Sequence, residues 1–347
     1  MNFFKYKRAH IKQILSITIL SFLFLSCQNN NKEEIDYSNK SISELNAAIK
    51  KDSSKALLYQ IRAEHYYRLN QIDSALLDYQ KAVKIEENHT DWLLKLSDIY
   101  LFKGQSENAR QMLDEALKLE PNNTDVILKM GLFYLLIEDH IKSFEYINEA
   151  LSINPNLELA YLYKSMNYKE VGDTTRAIAE LQKAVEKNPE YTEAYIQLGL
   201  LFDAKNDTIS RIYYQNALKI DSTNAYAHYD LALHYQHQKE FNQAIRQYLY
   251  LVEHIDSNFS TAYHNIGYIY LLYSNDFDTA ISYFDKAIAI DYNYTEAYTN
   301  KGYALELLKQ YKNAFVEYQT ALKISPKNIA AKKGLERVSQ YLHIKSK

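Results

Sequence analysis

The 347 residues carry 40 Lys and Arg against 43 Asp and Glu, a net charge of −3, with 47% hydrophobic and 24% charged residues. That is a folded composition, and a mildly acidic chain without a basic run in its body lacks the footprint of a nucleic-acid binder. Only seven glycines and four prolines argue against a fold rich in tight β-turns and for an all-α one.

The N-terminus carries Lys5, Lys7, Arg8 and Lys12, followed by 14 uncharged residues from Gln13 to Ser26 and then Cys27. The apolar run suits the core of a signal peptide and is short of the roughly 20 residues that span a bilayer. Cys27 is the chain's one cysteine and closes this run. Phe24-Leu25-Ser26-Cys27 resembles the bacterial lipobox, in which a small residue precedes an invariant cysteine. Phe24 departs from the leucine commoner at that place. The resemblance implies cleavage after residue 26 and a covalent lipid, palmitate among its acyl chains, on Cys27. An ordinary secretory signal with a coincidental cysteine is the alternative. Loss of residues 1–26 takes the net charge from −3 to −7. With one cysteine, disulfides and Cys-rich zinc sites are excluded from the body. Residues 27–40 are polar, lack hydrophobic periodicity and read as a tether. Gln28 is not the aspartate linked to inner-membrane retention, which favours the outer membrane, on its periplasmic face or at the cell surface.

Beyond the tether the chain repeats. Pro121, Pro155 and Pro189 are 34 residues apart, and Pro326 lies four periods plus one further on. Gly131, Gly199, Gly267 and Gly302 share one register; Gly104 and Gly172 share another. Repeats run 56–89, 90–123, 124–157, 158–191, 192–224, 225–259, 260–294 and 295–328. The eighth position is small in each: Ala63, Ser97, Gly131, Ser165, Gly199, Ala232, Gly267, Gly302. The twentieth is small too, from Ala75 to Ala314, and so is the twenty-seventh, except for Leu251. Aromatic residues recur at the eleventh, from Tyr66 to Tyr270, and are expected to fill the holes beside the small ones. Small side chains on such a register allow two helices to approach closely.

This pattern resembles the tetratricopeptide repeat, a pair of antiparallel helices. The resemblance implies an α-α superhelix, or solenoid, of about eight hairpins. Residues 41–55 read as a partial repeat helix, and residues 329–347 as a C-terminal capping helix and tail that shield the last apolar face. The fifth repeat has 33 residues and the sixth and seventh 35, so a local change of twist is expected around residues 205–280.

No metalloprotease, Walker, dinucleotide-binding or nucleophile-elbow motif occurs. His234 and His237 lie three apart without a further ligand, and Asp91, Asp98 and Asp125 read as exposed helix surface. The expectation is a protein that is not an enzyme and takes no metal and no small-molecule cofactor.

In the resembled family the concave face is lined by the first helices, chiefly at positions 2, 5, 9, 12 and 13. Here that names Leu94, Leu128, Leu132, Leu162, Met166, Ile196, Leu200, Tyr229, Leu233 and Tyr268. No repeat pairs lysine at position 5 with asparagine at 9, the carboxylate clamp of some relatives. The apolar positions form either a groove for a peptide or helix, or contacts buried between neighbouring first helices. The implied function is a membrane-anchored scaffold in the bacterial cell envelope that binds other envelope proteins or peptides and no nucleic acid. The alternative is a non-catalytic accessory subunit of an outer-membrane assembly, secretion or uptake machine.

Overall fold

A computed structural model describes residues 40–343. The expected signal segment, Cys27 and nearly all of the tether, at residues 1–39, and the tail at 344–347 lie outside the described residues. The described residues contain eighteen α-helices and no strand. They divide into two compact units, one ending at Asn167 and the other beginning at Tyr168.

The first unit opens with α1 (Ile42–Lys51), which Ser41 caps in a capping box with Glu44. Three hairpins follow: α2 (Ala56–Arg68) with α3 (Ile72–Ile85), α4 (Thr90–Phe102) with α5 (Ser106–Leu119), and α6 (Thr124–Leu136) with α7 (His140–Ile153). The division falls within α8 (Glu158–Glu170). In the second unit α9 (Thr174–Lys187) precedes α10 (Thr192–Asp203) with α11 (Ser210–Ile220) and α12 (Ala225–His237) with α13 (Phe241–Tyr250). Then come α14 (Ser260–Ile269) with α15 (Phe277–Ile290), α16 (Thr295–Leu307) with α17 (Tyr311–Ile324), and α18 (Ile329–Tyr341). Within each unit the closest packing is inside a hairpin, and the second helix of one hairpin packs on the first helix of the next.

Local chemistry sets the boundaries. Between hairpins, Asp52, Asn154, Asn188, Asp221, Asp256 and Asp291 each accept a hydrogen bond from the backbone N–H two residues on. These Asx-turns offer the backbone an alternative to the helix and so end it. Inside the hairpins, the N–H of Gln71, Gln105, Asp139, Asp173, Asp207, Glu240 and Gln310 donates to the carbonyl five residues back. The residue before each has positive φ, as a Schellman-type ending requires. Only Gly104 and Gly172 supply it with glycine.

The three small-residue registers are sealed. Every alanine or serine at the twentieth and twenty-seventh positions is fully buried. Where the eighth residue is glycine, the knob that meets it is the twenty-fourth, on the second helix: Ile147, Tyr214, Phe284 and Tyr318. These and the other residues of that register, Tyr79, Leu113, Leu181 and Tyr248, are all at most 2% exposed. A Cβ built on Gly131, Gly267 or Gly302 would lie 2.6–3.0 Å from Ile147, Phe284 or Tyr318 respectively. The expectation that the eleventh-position aromatics fill these holes is corrected. They pack instead near the turn, where Tyr134 stacks on Tyr146 and Tyr270 on Tyr283.

The odd repeat lengths are absorbed locally. The extra residue of the sixth repeat makes a π-turn at Leu251–Ile255, and that of the seventh makes one at Tyr270–Ser274. Asp256 N–H reaches back five residues to the Leu251 carbonyl at 2.9 Å. Leu251, standing where other repeats have alanine, begins the first π-turn and is itself buried. Irregularity within 205–280 thus takes the form of widened helical turns and, in the fifth repeat, a shortened α11.

Candidate functional site

The residues expected to line a ligand face on the first helices fall into two groups by burial. Leu128, Leu132, Leu162 and Ile196 are at most 4% exposed. Leu128 and Leu132 join Ile127, Leu135 and Tyr163 in one core cluster of the first unit, with Met166 packed against it. A charge introduced at these four buried positions would break the array before it reached a ligand.

Leu94, Met166, Leu200, Tyr229, Leu233 and Tyr268 are half-buried. Leu94 packs against buried Leu93 and Ala116, and Leu200 against Ile196 and Ala217. Each keeps part of an apolar side chain in reach of solvent, held by a fully buried layer.

The polar groups on these helices differ between the units. In the first unit Asp98 is 7% exposed and takes the Lys129 ammonium, with 2.7 Å between Nζ and Oδ2. That replaces its expected place on exposed helix surface. Arg62 forks onto Asp78 at 2.6 and 2.7 Å, donates to Asn46 and lies over Tyr59. In the second unit Asn265 bridges two tyrosines, donating to Tyr229 Oη at 3.2 Å and Tyr248 Oη at 3.0 Å. His264 sits beside Tyr294 and accepts at Nε2 from Asn300 at 3.0 Å. Burial depresses its pKa, against opposing pulls from Asn265 and Glu296, which keeps the ring neutral at pH 7. Nδ1 is then the protonated nitrogen, facing Asn265 Oδ1 at 3.3 Å.

His234 and His237 do not converge. His234 is 1% exposed and bonds Asp203 and Ser210 through Nδ1, whereas His237 is exposed. Among the described residues, no three His, Cys, Asp or Glu side chains are placed to hold a metal ion. No helix among them is long and apolar enough to cross a membrane.

Four family models, each described as Tetratricopeptide repeat, match residues 66–129, 124–157, 157–191 and 269–329, together more than half of the chain. The chain belongs to the tetratricopeptide repeat family. Two solved structures show the same fold. The crystal structure of the APC/C hetero-tetramer Cut9–Hcn1 is 17% identical, with a TM-score of 0.54 over 86% of this chain. This chain spans only 58% of that one's length. A tetratricopeptide repeat protein from Parabacteroides merdae ATCC 43184 is also 17% identical, with a TM-score of 0.50. That match covers 72% of this chain and 98% of the other. No curated protein matches the sequence.

Within the tetratricopeptide frame, two features of this face escaped the sequence reading. One is the Asp98–Lys129 pair, which joins position 9 of one repeat to position 6 of the next; opposite charges at those registers were its signal. The other is the acidic set Glu193, Asp203 and Asp230, which the helix spacing scatters over two repeats.

Proposed function

We propose that this tetratricopeptide repeat protein is a non-catalytic scaffold of the bacterial envelope, held on the outer membrane by lipid on Cys27, that captures partner proteins or peptides along its first-helix face. The observation that carries the reading is the row of half-buried apolar residues of the second unit, Leu200, Tyr229, Leu233 and Tyr268, seated on a sealed core. Such a surface receives an extended or helical apolar segment through contacts that need little rearrangement. Tetratricopeptide repeats generally bind protein partners, which supports the same assignment.

Anchoring rests on the lipobox-like Phe24-Leu25-Ser26-Cys27. Several acyl chains, at about 0.8 kcal/mol for each buried methylene, hold a protein stably where one myristoyl chain does not. Metabolic palmitate labelling with membrane fractionation tests this directly. The native chain carries label and sediments with the outer membrane, and Cys27→Ala does neither. Unlabelled native protein in the soluble fraction would overturn the anchor.

The polar Tyr229–Asn265–Tyr248 bridge favours a partner with hydrogen-bonding side chains on the first-helix face of the second unit. An accessory subunit of an assembly, secretion or uptake machine would use the same surface with one dedicated partner. Crosslinking in cells followed by mass spectrometry, native chain against Cys27→Ala, separates the two: one dominant adduct marks the machine subunit, several mark the scaffold.

A further inference from the structure

Asp230 lies at the sixth position of α12 and is 6% exposed. Among the described residues it has neither a hydrogen-bond nor an ion-pair partner. An isolated carboxyl at that depth is costly, and proteins normally pair it or remove it. Its electrostatic neighbours make the cost larger, because the charges that act on it are two further carboxylates, Glu193 and Asp203 on α10, a helix in contact with α12.

The partners of those two acids are already engaged. Asp203 accepts from His234 Nδ1 at 2.8 Å and lies 3.4 Å from Ser210 Oγ. Glu193 accepts from Gln197 Nε2 at 2.7 Å, and Lys169 at the end of α8 offsets part of its charge. Neither lysine nor histidine reaches Asp230. Burial, reinforced by Glu193 and Asp203, pushes the Asp230 carboxyl up to about 8, and burial pushes Glu193 to about 7. At neutral pH the niche therefore holds protons in place of a cation.

The first unit shows what the same register does when its cation is built in. Lys129 occupies the sixth position of α6, as Asp230 does of α12, and its ammonium sits on the buried Asp98 carboxylate. At the sixth position of α12 the chain supplies a carboxyl where α6 supplies the ammonium. The place that Asp98 takes opposite Lys129 belongs to Leu200 in the repeat before Asp230, so the register gives Asp230 no charged partner.

We propose that Asp230, with Glu193 and Asp203 adding negative field from the two ends of α10, is a recognition niche of the second unit that receives a basic side chain, lysine or arginine, from a partner polypeptide. The proposal deepens the scaffold reading and rests on it. A bare metal ion is a poorer occupant, because no three of these groups are placed to ligate one ion together. A side chain suits better, since its apolar stem can lie along Tyr226 and Tyr229, both close enough to feel the Asp230 charge. A cation entering the niche drives Asp230 to ionise, so each binding event releases a proton at pH 7 and binding tightens as pH rises toward 8.5. The charged groups acting on Asp230 in this titration are Glu193 and Asp203; Lys169 acts on Glu193, and His234 lies one turn along α12.

The test uses the full chain and two small probes, N-acetyl-lysine amide and N-acetyl-arginine amide, with N-acetyl-norleucine amide as the uncharged control. Titration calorimetry in buffers of different ionisation enthalpy reads both affinity and proton release. The niche predicts saturable binding of a cationic probe, proton release at pH 7, and affinity at least about tenfold higher at pH 8.5 than at 6.5. Asp230→Asn should weaken binding at least about tenfold and abolish the release while circular dichroism stays unchanged. Glu193→Gln, further from the unpaired carboxyl, should weaken it less. Equal binding of the norleucine control, no saturable binding, or tight binding of calcium in place of the probes would overturn the niche. Loss of the niche with partner crosslinking through Tyr268 retained would leave the scaffold reading standing.

Discussion

The ring of Tyr214 occupies the space where Gly199 lacks a side chain. A Cβ on Gly199 would stand 2.7 Å from ring carbon Cδ1, and closer still to Cε1. The ring is fully buried and cannot swing aside. Alanine in mid-helix normally gains about 1 kcal/mol over glycine. Here overpacking outweighs that gain, so Gly199→Ala should destabilise the protein by about 1–2 kcal/mol. Urea denaturation checks it, and Tyr214→Leu should restore part of the loss in the double variant, since Ser165 and Ser97 coexist with Leu181 and Leu113 at the same registers.

Glu138, Lys239 and Lys309 hold φ near +60°, where a Cβ is strained. Each ends a first helix that Gly104 and Gly172 end without strain elsewhere. Glu138→Gly or Lys309→Gly should therefore stabilise the chain by about 0.5–1 kcal/mol. Gly104→Ala should cost about 1 kcal/mol although nothing lies within 4 Å of its missing Cβ. Thermal unfolding of the three variants measures both signs.

Arg337 on the closing helix forks onto Glu306 at 2.7 and 2.8 Å, and Tyr318 donates to the same carboxylate at 2.8 Å. Burial raises the Glu306 pKa, but the Arg337 and Tyr318 hydrogen bonds outweigh it and hold the carboxyl below its usual range. The stabilisation is thus present above the unfolded value and lost as pH falls through the folded one. Arg337 is half exposed, so solvent screening limits Arg337→Ala to about 1 kcal/mol at pH 7. The difference between variant and native should shrink as pH falls below the ordinary glutamate range, read by urea midpoints at pH 7 and through an acid series.

Asp230 has the opposite sign. Its folded pKa, about 8, stands far above an unfolded carboxyl near 4. Between those values the native state binds the extra proton, so stability falls as pH rises. Asp230→Asn should be more stable than the native chain at pH 8 by at least about 1 kcal/mol, with the gap closing toward pH 4. Parallel unfolding curves at pH 4, 6 and 8 show whether it does.

Much of this fold is legible in the residues because a hairpin contact tolerates only small side chains, and Ala63, Gly131 and Gly302 announce it on a fixed register. The opposing knob is less visible, since Tyr214, Ile147, Leu181 and Phe284 share size and burial but not residue type. Repeat lengths of 35 reveal an insertion, yet whether it becomes a loop or a π-turn depends on whether the helix can keep its buried face, as Leu251 does. Least legible is which apolar residues on the first helices stay open. Leu132 and Leu200 occupy the same register, but Leu132 is sealed in a cluster that includes Leu128, Leu135 and Tyr163, whereas Leu200 packs against Ile196 and Ala217 and stays half-buried. Asp230 was equally hidden: its isolation follows from side chains on α8, α10 and α12 that no local spacing brings together.

Site-specific photo-crosslinking in cells tests capture along the first-helix face most directly. A photoreactive residue at Tyr268 or Leu200, on first helices, is compared with one at Ile212 or Val316, exposed on second helices. The account predicts that Tyr268 and Leu200 give adducts with the same partner protein and that Ile212 and Val316 give none. Adducts formed from the second helices alone would contradict it.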